Sequence, residues 1–347
     1  MADQYLTLKD ATAARGTDAA VGIVDNIINV APEMGVVLGR PIAGIEYKAL
    51  IRTAIPANAG FRKVNSGVPL GASSYDRKRF NCYPFDMQFR IDQMLVEAQE
   101  AEGQTAADFM TAELMGASRS KALYLGKQFY VGTANDPLGF PGLLDFFTTS
   151  RTQVDSRTGK KIDQYIEAGG NAAGVCQNVW FIKMGPQGVH LLFGKGAGIR
   201  SNPWFLQQVA SPDGAGKNVS FCTNYYGWIG SSMAQYHAVG MIGNINPTPT
   251  TAAGVTTYAN PFTDDQVSAL YAKFPIGMAP DLCFVTKFGA ASLQKQRAVT
   301  NFVSSGDRKF TQGIAPTADF PTSLPTMNGI PIVVTDSIQN GNQFIPS

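Results

Sequence analysis

Residues 179–198 read VWFIKMGPQGVHLLFGKGAG. A lysine among glycines behind an apolar run invites comparison with a phosphate-binding loop. Such a loop needs Gly, four residues, then Gly-Lys and a Ser or Thr, because backbone N–H groups cradle the phosphate and the hydroxyl holds Mg²⁺. Here five residues separate Gly188 from Gly194, and Gly196, which has no hydroxyl, follows Lys195. Both departures fall on the groups that do the chemistry. The reading that remains is a β-hairpin: an apolar strand over Val179–Met184, turn residues Gly185-Pro186-Gln187-Gly188, and a return strand over Val189–Phe193.

Working outward, a chain of 347 residues is long enough for two or three lobes with a sizeable core. With 28 basic against 26 acidic residues, no whole-molecule field drives binding to DNA or to a membrane surface. The 36 glycines and 20 prolines imply many turns and much β structure. Cys82, Cys176, Cys222 and Cys283 are widely spaced, with no C-x-x-C, and only two histidines accompany them. A zinc site needs about four clustered ligands, so buried free thiols in a reducing cytoplasm are expected. The N-terminus, MADQYLTLKDATAARG, has no apolar signal core, and no run approaches the roughly 20 apolar residues of a membrane span.

Along the chain, Thr7 and Asp10 resemble a capping box, and Val21, Val24, Ile27 and Ile28 form a narrow apolar stripe that Pro32 ends. That stripe has two open readings: docking on another molecule, or packing on its own domain. Residues 41–83 are strand-like but broken by Pro56, Gly60, Gly67, Pro69 and Gly71, and they carry Arg52, Arg62, Lys63, Arg77, Lys78 and Arg79. A two-stranded ribbon this polar is marginal by itself in water and needs support from a neighbour. Residues 84–125 switch to helical period, with Ile91, Met94, Leu95 and Ala98 on one face; Thr105 then caps a second stretch bearing Ala107, Met110, Leu114 and Ala117. Strands are expected at 219–226, 232–244, 281–287 and 328–338, helices at 263–274 and 290–302, and a loop over 247–263.

A reaction centre is harder to find. No G-x-S-x-G places a serine for activation by His190 or His237, and His237 reads as a structural histidine. GKGAG at 194–198 lacks the spacing and the downstream acid of a dinucleotide fingerprint. Asp86, Asp92, Glu97 and Glu100 read as a solvated helix face. Tyr225, Tyr226, Trp228 and Tyr236 offer stacking surfaces, yet no basic residue lies between Lys217 and Lys273 to hold phosphate. The expectation is no catalytic residue, no metal and no cofactor, in a chain that works through its surfaces.

The order of these pieces resembles the Hong Kong 97 fold of tailed-phage major capsid proteins. RTAIPANAGFRKVNSGV (52–68) looks like the extended-loop signature of a podovirus-type branch, and NVWFIKMGPQGVHLLFGKGAGI (178–199) is similar to that branch's apolar hairpin. PLGFPGLLDFF (137–147), TNYYGWIGSSMAQYHAVGMIGNI (223–245) and NGIPIVVTDSI (328–338) follow in the same order. The block 178–250 carries fewer charges than the resemblance leads one to expect. The resemblance implies an α+β capsid fold in five parts: an N-terminal arm (1–40), an extended β-hairpin loop (41–83) and a peripheral domain with a spine helix (84–175), then a β-rich axial domain (176–327) and a C-terminal strand returning to the peripheral domain (328–347). It further implies pentamers and hexamers in an icosahedral head around double-stranded DNA, assembled in the host bacterial cytoplasm. The partners are then further copies of itself, with scaffolding, portal and decoration proteins, non-specific DNA contact and no membrane.

The expected inter-subunit contacts are Arg52, Phe61, Arg62, Lys63, Val64, Arg77, Lys78 and Arg79 of the loop, with Ile27 and Ile28 of the arm. Val68 would add apolar area. The loop would lie on a neighbour and meet acids such as Asp92, Glu97, Glu100 or Glu102. No covalent cross-link is expected, since nothing specifies a partner for Lys63 or Lys78. Readings from other classes are an encapsulin-like compartment shell, a tail or baseplate component, and a β-rich hydrolase.

Overall fold

The computed structural model describes residues 31–338 apart from 57, 69, 102–104, 156–158, 171–174, 197, 212–215, 253–254 and 295–329. The arm residues Ile27 and Ile28, the acid Glu102 and most of the expected helix over 290–302 lie outside the described residues.

The described residues open with a short helix α1 (Glu33–Val36) and strand β1 (Gly39–Pro41). A two-stranded ribbon follows, β2 (Glu46–Ala54) and β3 (Ser74–Asn81), and then β4 (Tyr83–Asp92). Two helices come next, α2 (Gln93–Glu100) and the long α3 (Ala106–Val131), then α4 (Leu143–Thr152). The remainder is mostly strand: β5 (Tyr165–Glu167), β6 (Gln177–Ile182), β7 (Val189–Phe193), β8 (Arg200–Ser201), β9 (Phe205–Ala210), β10 (Lys217–Met233), β11 (Val239–Ala252) and β12 (Val255–Asn260). Helix α5 (Asp264–Lys273), strand β13 (Leu282–Val285), a helix α6 over 287–294 and β14 (Ile332–Val334) complete the described chain.

The expected 179–193 hairpin is present as two strands and a turn, but the strands do not pair as a hairpin. β6 lies between β11 and β13 in one sheet, whereas β7 lies between β1 and β10 in the other. The side chains explain the split. Val179 and Phe181 of β6 pack into one apolar cluster, while Trp180 and Ile182 enter another. A strand apolar on both faces belongs in the middle of a sheet, covered front and back. The turn at Gly185–Gly188 therefore joins two sheets. The phosphate-loop reading fails in space as well: the backbone N–H groups of Lys195 and Gly196 are spent on the carbonyls of Gly44 and Ile42.

Two further expectations are corrected. Residues 83–92 form a strand, not the start of a helix: β4 runs antiparallel to β10 from Tyr83↔Ile229 to Asp92↔Ser220. The helix starts only where the Asp92 carboxylate accepts from the Met94 amide, 2.9 Å away, and caps it. Residues 247–260 are not a plain loop, because β11 and β12 continue as an antiparallel pair, Thr251↔Thr256 and Ala252↔Val255. β-branched threonines favour this extended geometry despite the flanking prolines.

The long helix α3 is one 26-residue rod, about 39 Å at the usual rise. Thr105 caps it by accepting from the Asp108 amide at 3.3 Å. Phe109 and Ala117 are buried in its first half, Phe109 against Ile91, Leu95 and Val96, while Ala107 of the expected stripe is exposed; Leu125, Gly126, Gln128, Phe129 and Tyr130 are buried in its C-terminal part. There it meets α4 and both sheets in a shared core with Phe147, Trp180, Leu191, Ile229, Met241 and Phe284. Phe129 and Phe284 sit edge to face, 6.1 Å between centroids. At the end of α3, Gly132 has φ +68, and a Cβ there would meet Asp145 Oδ2 at 2.0 Å, so only glycine permits the turn into α4.

Candidate assembly surfaces

The ribbon β2–β3 has its own two-stranded sheet, and its register sorts its side chains. Cross-strand partners share a face. Lys48↔Arg79, Leu50↔Arg77 and Arg52↔Tyr75 place the arginines and Leu50 together on one face. Tyr47↔Phe80, Ala49↔Lys78 and Ile51↔Asp76 occupy the other. The second face rests on the subunit's own body: Phe80 stacks against Tyr47 and edges Phe146, and Tyr47 edges His190.

Period two thus separates three basic residues that are adjacent in sequence. Arg77 and Arg79 are exposed on the outer face, with the Arg79 Nε 3.5 Å from Glu46. Lys78 turns inward, its Nζ 3.2 Å from the Tyr236 ring centre and 3.4 Å from the Ala234 carbonyl to which it donates. Burial lowers the Lys78 ammonium to about 8, with nearby Asp76 opposing the shift. Arg52 lies over Tyr75 and donates to its hydroxyl at 3.3 Å.

At the far end, the chain holds itself by short bonds. Arg62 donates to the Ser66 carbonyl at 2.9 Å, Ser66 Oγ donates to the Lys63 carbonyl at 2.9 Å, and Asn65 takes φ +67. Phe61, Val64 and Leu70 project from this tip, Phe61 and Leu70 fully exposed and Val64 at 90%. Val68 and Ile55 add to the same uncovered apolar surface. Such a surface costs solubility unless something covers it.

The expected acidic partners differ in availability. Asp92 is engaged, capping α2 and accepting from Asn218 Nδ2 at 2.8 Å. Glu97 and Glu100 are exposed on the outer side of α2 with Met94, and Glu97 accepts from Gln93 at 2.8 Å. Met115 is exposed on α3.

Among the described residues, the groups with catalytic character are buried or far apart. His190 and Ser232 lie within hydrogen-bonding distance, at 3.0 Å from Nε2. Both are buried in the core, and burial lowers the His190 pKa. His237 Nε2 sits 3.9 Å from Asp155. All four cysteines are buried and free, with Cys82 pushed up to about 11 by burial. Among the described residues no group of three or more His, Cys, Asp or Glu is placed to hold a metal, and no helix is long and apolar enough to cross a membrane.

One buried acid was not singled out by the sequence. Glu33 is fully enclosed between α1, α3 and the segment after β14. Its only sequence signal is its place directly after Pro32, at the start of a short helix.

Two interlocked sheets, a long helix and a projecting ribbon with an apolar tip define a structural protein that acts by association. The family of the major capsid protein GP7 has a model that matches residues 42–344, and the chain belongs to that family. A search of curated proteins found no match. Among solved structures the chain is similar to one from bacteriophage Epsilon15, at 17% identity and a TM-score of 0.63 over 98% of this chain and 97% of that one. It is also similar to the bacteriophage JBD30 capsid, at 9% identity and a TM-score of 0.46 over 83% and 89% of the two chains. A third is the holo-SrpI encapsulin complex of Synechococcus elongatus, at 9% and 0.42 over 71% and 99%. The Epsilon15 likeness, which spans nearly the whole of both chains, supports the fold. The fold is the Hong Kong 97-like capsid fold, and the protein is a self-associating component of the phage capsid.

Proposed function

We propose that this chain builds an icosahedral phage head as pentamers and hexamers around double-stranded DNA, by laying its ribbon across a neighbouring copy. The observation that carries the reading is the ribbon tip, where Phe61, Val64 and Leu70 are exposed and have no cover among the described residues. The contacts are heterologous and ring-closing. Arg52, Arg77 and Arg79 on the outer face, with Arg62 and Lys63 at the tip, meet the exposed Glu97 and Glu100 beside Met94 of a neighbour. Each exposed ion pair contributes only about 0–1 kcal/mol. Phe61, Val64 and Val68 supply the desolvated area at about 25 cal/mol per Å². Lys78, being turned toward Tyr236, acts within its own subunit and leaves this contact to its neighbours in sequence. Ile27 and Ile28 of the arm remain part of the proposal as a clamp on an adjacent copy.

In this reading α3 and the β4–β10 sheet belong to the peripheral domain and the β6–β11–β13 sheet to the axial one. The pairing of β10 with β4 joins segments on both sides of the expected boundary at 175, and β14, expected to return to the peripheral domain, pairs with β13 instead. The protein has no enzymatic role, needs no cofactor and forms no covalent cross-link. Assembly takes place in the host cytoplasm with scaffolding, portal and decoration proteins. With net charge +2, its DNA contact is weak and non-specific. Electron microscopy of the expressed protein tests the reading. Closed shells are expected from the native chain and none from Arg62→Glu/Lys63→Glu/Arg77→Glu; normal particles from that variant would overturn the contact scheme.

A further inference from the structure

The roots of the two chain ends meet at one side chain. Glu33 opens α1, immediately after the first described residues, and Thr335 and Ser337 lie near the last. The Thr335 hydroxyl donates to Glu33 Oε1, and Ser337 Oγ donates to Oε2 at 3.2 Å. The long helix closes the site from the third side. A Cβ on Gly126 would stand 2.2 Å from Ser337 Oγ and 2.8 Å from Glu33 Oε2, so the absence of a side chain there lets the carboxyl and hydroxyls approach the helix. Glu33 is 0% exposed. The Tyr130 hydroxyl from α3 is buried in the same place and has no hydrogen-bond partner of good geometry among the described residues.

The neighbours of the carboxyl are informative. They are hydroxyls and a phenol, with the Cys283 thiol of β13 behind Tyr130. No lysine, arginine or histidine forms an ion pair with Glu33 among the described residues. An ionised carboxylate kept from water without a counter-charge is costly, whereas a neutral carboxyl with hydroxyl partners is not. A carboxyl used only to fill space would be served better by Gln or Leu.

We propose that Glu33 is a proton-operated clasp, fastening the roots of both chain ends to the long helix while neutral and letting them go when it ionises. Closed, it pins α1 and the segment after β14 against Gly126. Open, it frees the attachments at residues 31–37 and 335–338 from the long helix and loosens Met34, Val37 and Ile338 where they meet the shared core. Burial raises the Glu33 pKa above the ordinary 4.5, and the hydroxyl bonds partly oppose that rise. A group that binds its proton more tightly folded than unfolded stabilises the fold fully below its unfolded pKa, and that contribution fades as pH rises through the folded value. Tyr130 is held protonated, its pKa well above normal through burial and the Glu33 charge, so it does not titrate in this window.

The test compares native protein with Glu33→Gln, which keeps shape and polarity but cannot ionise. Unfolding midpoints of isolated subunits are followed from pH 4.5 upward, with amide exchange at residues 33–37 and 332–338 read at each pH relative to the Gln variant. The native midpoint is expected to fall against that of Glu33→Gln as pH rises, with about tenfold faster relative exchange for each pH unit between the unfolded value of 4.5 and the raised folded pKa, and a plateau above it. Parallel midpoint curves and equal exchange at every pH would overturn the clasp. If Glu33→Gln does not fold, Gly126→Ala serves instead. It crowds the carboxyl, and a pH profile of exchange at the two roots identical to native would again overturn it. All readings are on isolated subunits, so they stand apart from the outcome of the shell-assembly experiment.

Discussion

The shared core and the ribbon follow opposite rules. In the core, aromatic and branched side chains from helices α3 and α4 and from strands of both sheets interlock, and Phe284, Phe129 and Leu191 are shut off from water. In the ribbon, phenylalanine and leucine of the same chemistry stand fully in solvent at the tip. The first arrangement is stable in one copy; the second makes sense only with another surface against it. The contrast teaches where to look for function in a capsid-family protein: at the apolar side chains that folding leaves unburied.

The sharpest way to break this contrast is charge reversal at Arg62, Lys63 and Arg77. Shell formation should be lost outright, while the denaturant midpoint of the isolated subunit stays where it was, both read on the same preparation. Next in size, Phe284→Ala should cost about 3–5 kcal/mol in denaturant unfolding, by transfer loss and a residual cavity. Phe61→Ala, the same deletion at the ribbon tip, should shift unfolding by less than about 0.5 kcal/mol and weaken assembly instead. Equal losses for the two phenylalanines would erase the distinction. Gly132→Ala should cost roughly 1–3 kcal/mol, from its left-handed backbone and the clash with Asp145. The remaining effect, visible only as a pH dependence, concerns Lys78. Its ammonium loses its proton at about 8 in the fold against 10.5 unfolded, so the unfolded chain binds more protons between those values and stability should rise with pH across that window. Lys78→Met should flatten that rise in midpoint-versus-pH measurements.

Much of this was legible from residues alone, and the failures have physical causes. The strands around residues 179–193 were visible because apolar runs and Gly-Pro turns are local signals. Their separation into two sheets was not visible, because the partners β10, β11 and β13 are remote in sequence. Tyr83, Phe85, Met87, Phe89 and Ile91 alternate at period two, yet Ile91 also fits a helical spacing with Met94 and Leu95, and the strand won through its long pairing with β10. The sequence marks the basic run Arg77–Lys78–Arg79 as an expected contact element, but which member faces inward follows from a register that only the folded ribbon supplies. Glu33 carried almost no signal, because its burial is made by residues some three hundred positions away.

Strand β10 has a mechanical consequence. It is 17 residues long, about 56 Å at usual strand rise, and it is clamped along its length by different partners. Its first part pairs with β9 and most of it with β4 beneath the helices, while its final residues pair with β7 against the shared core. Such a member behaves as a beam rather than a joint. A push delivered to the helix-bearing end by an adjoining copy arrives at the core as tilt, with no flexible connector in between to absorb it.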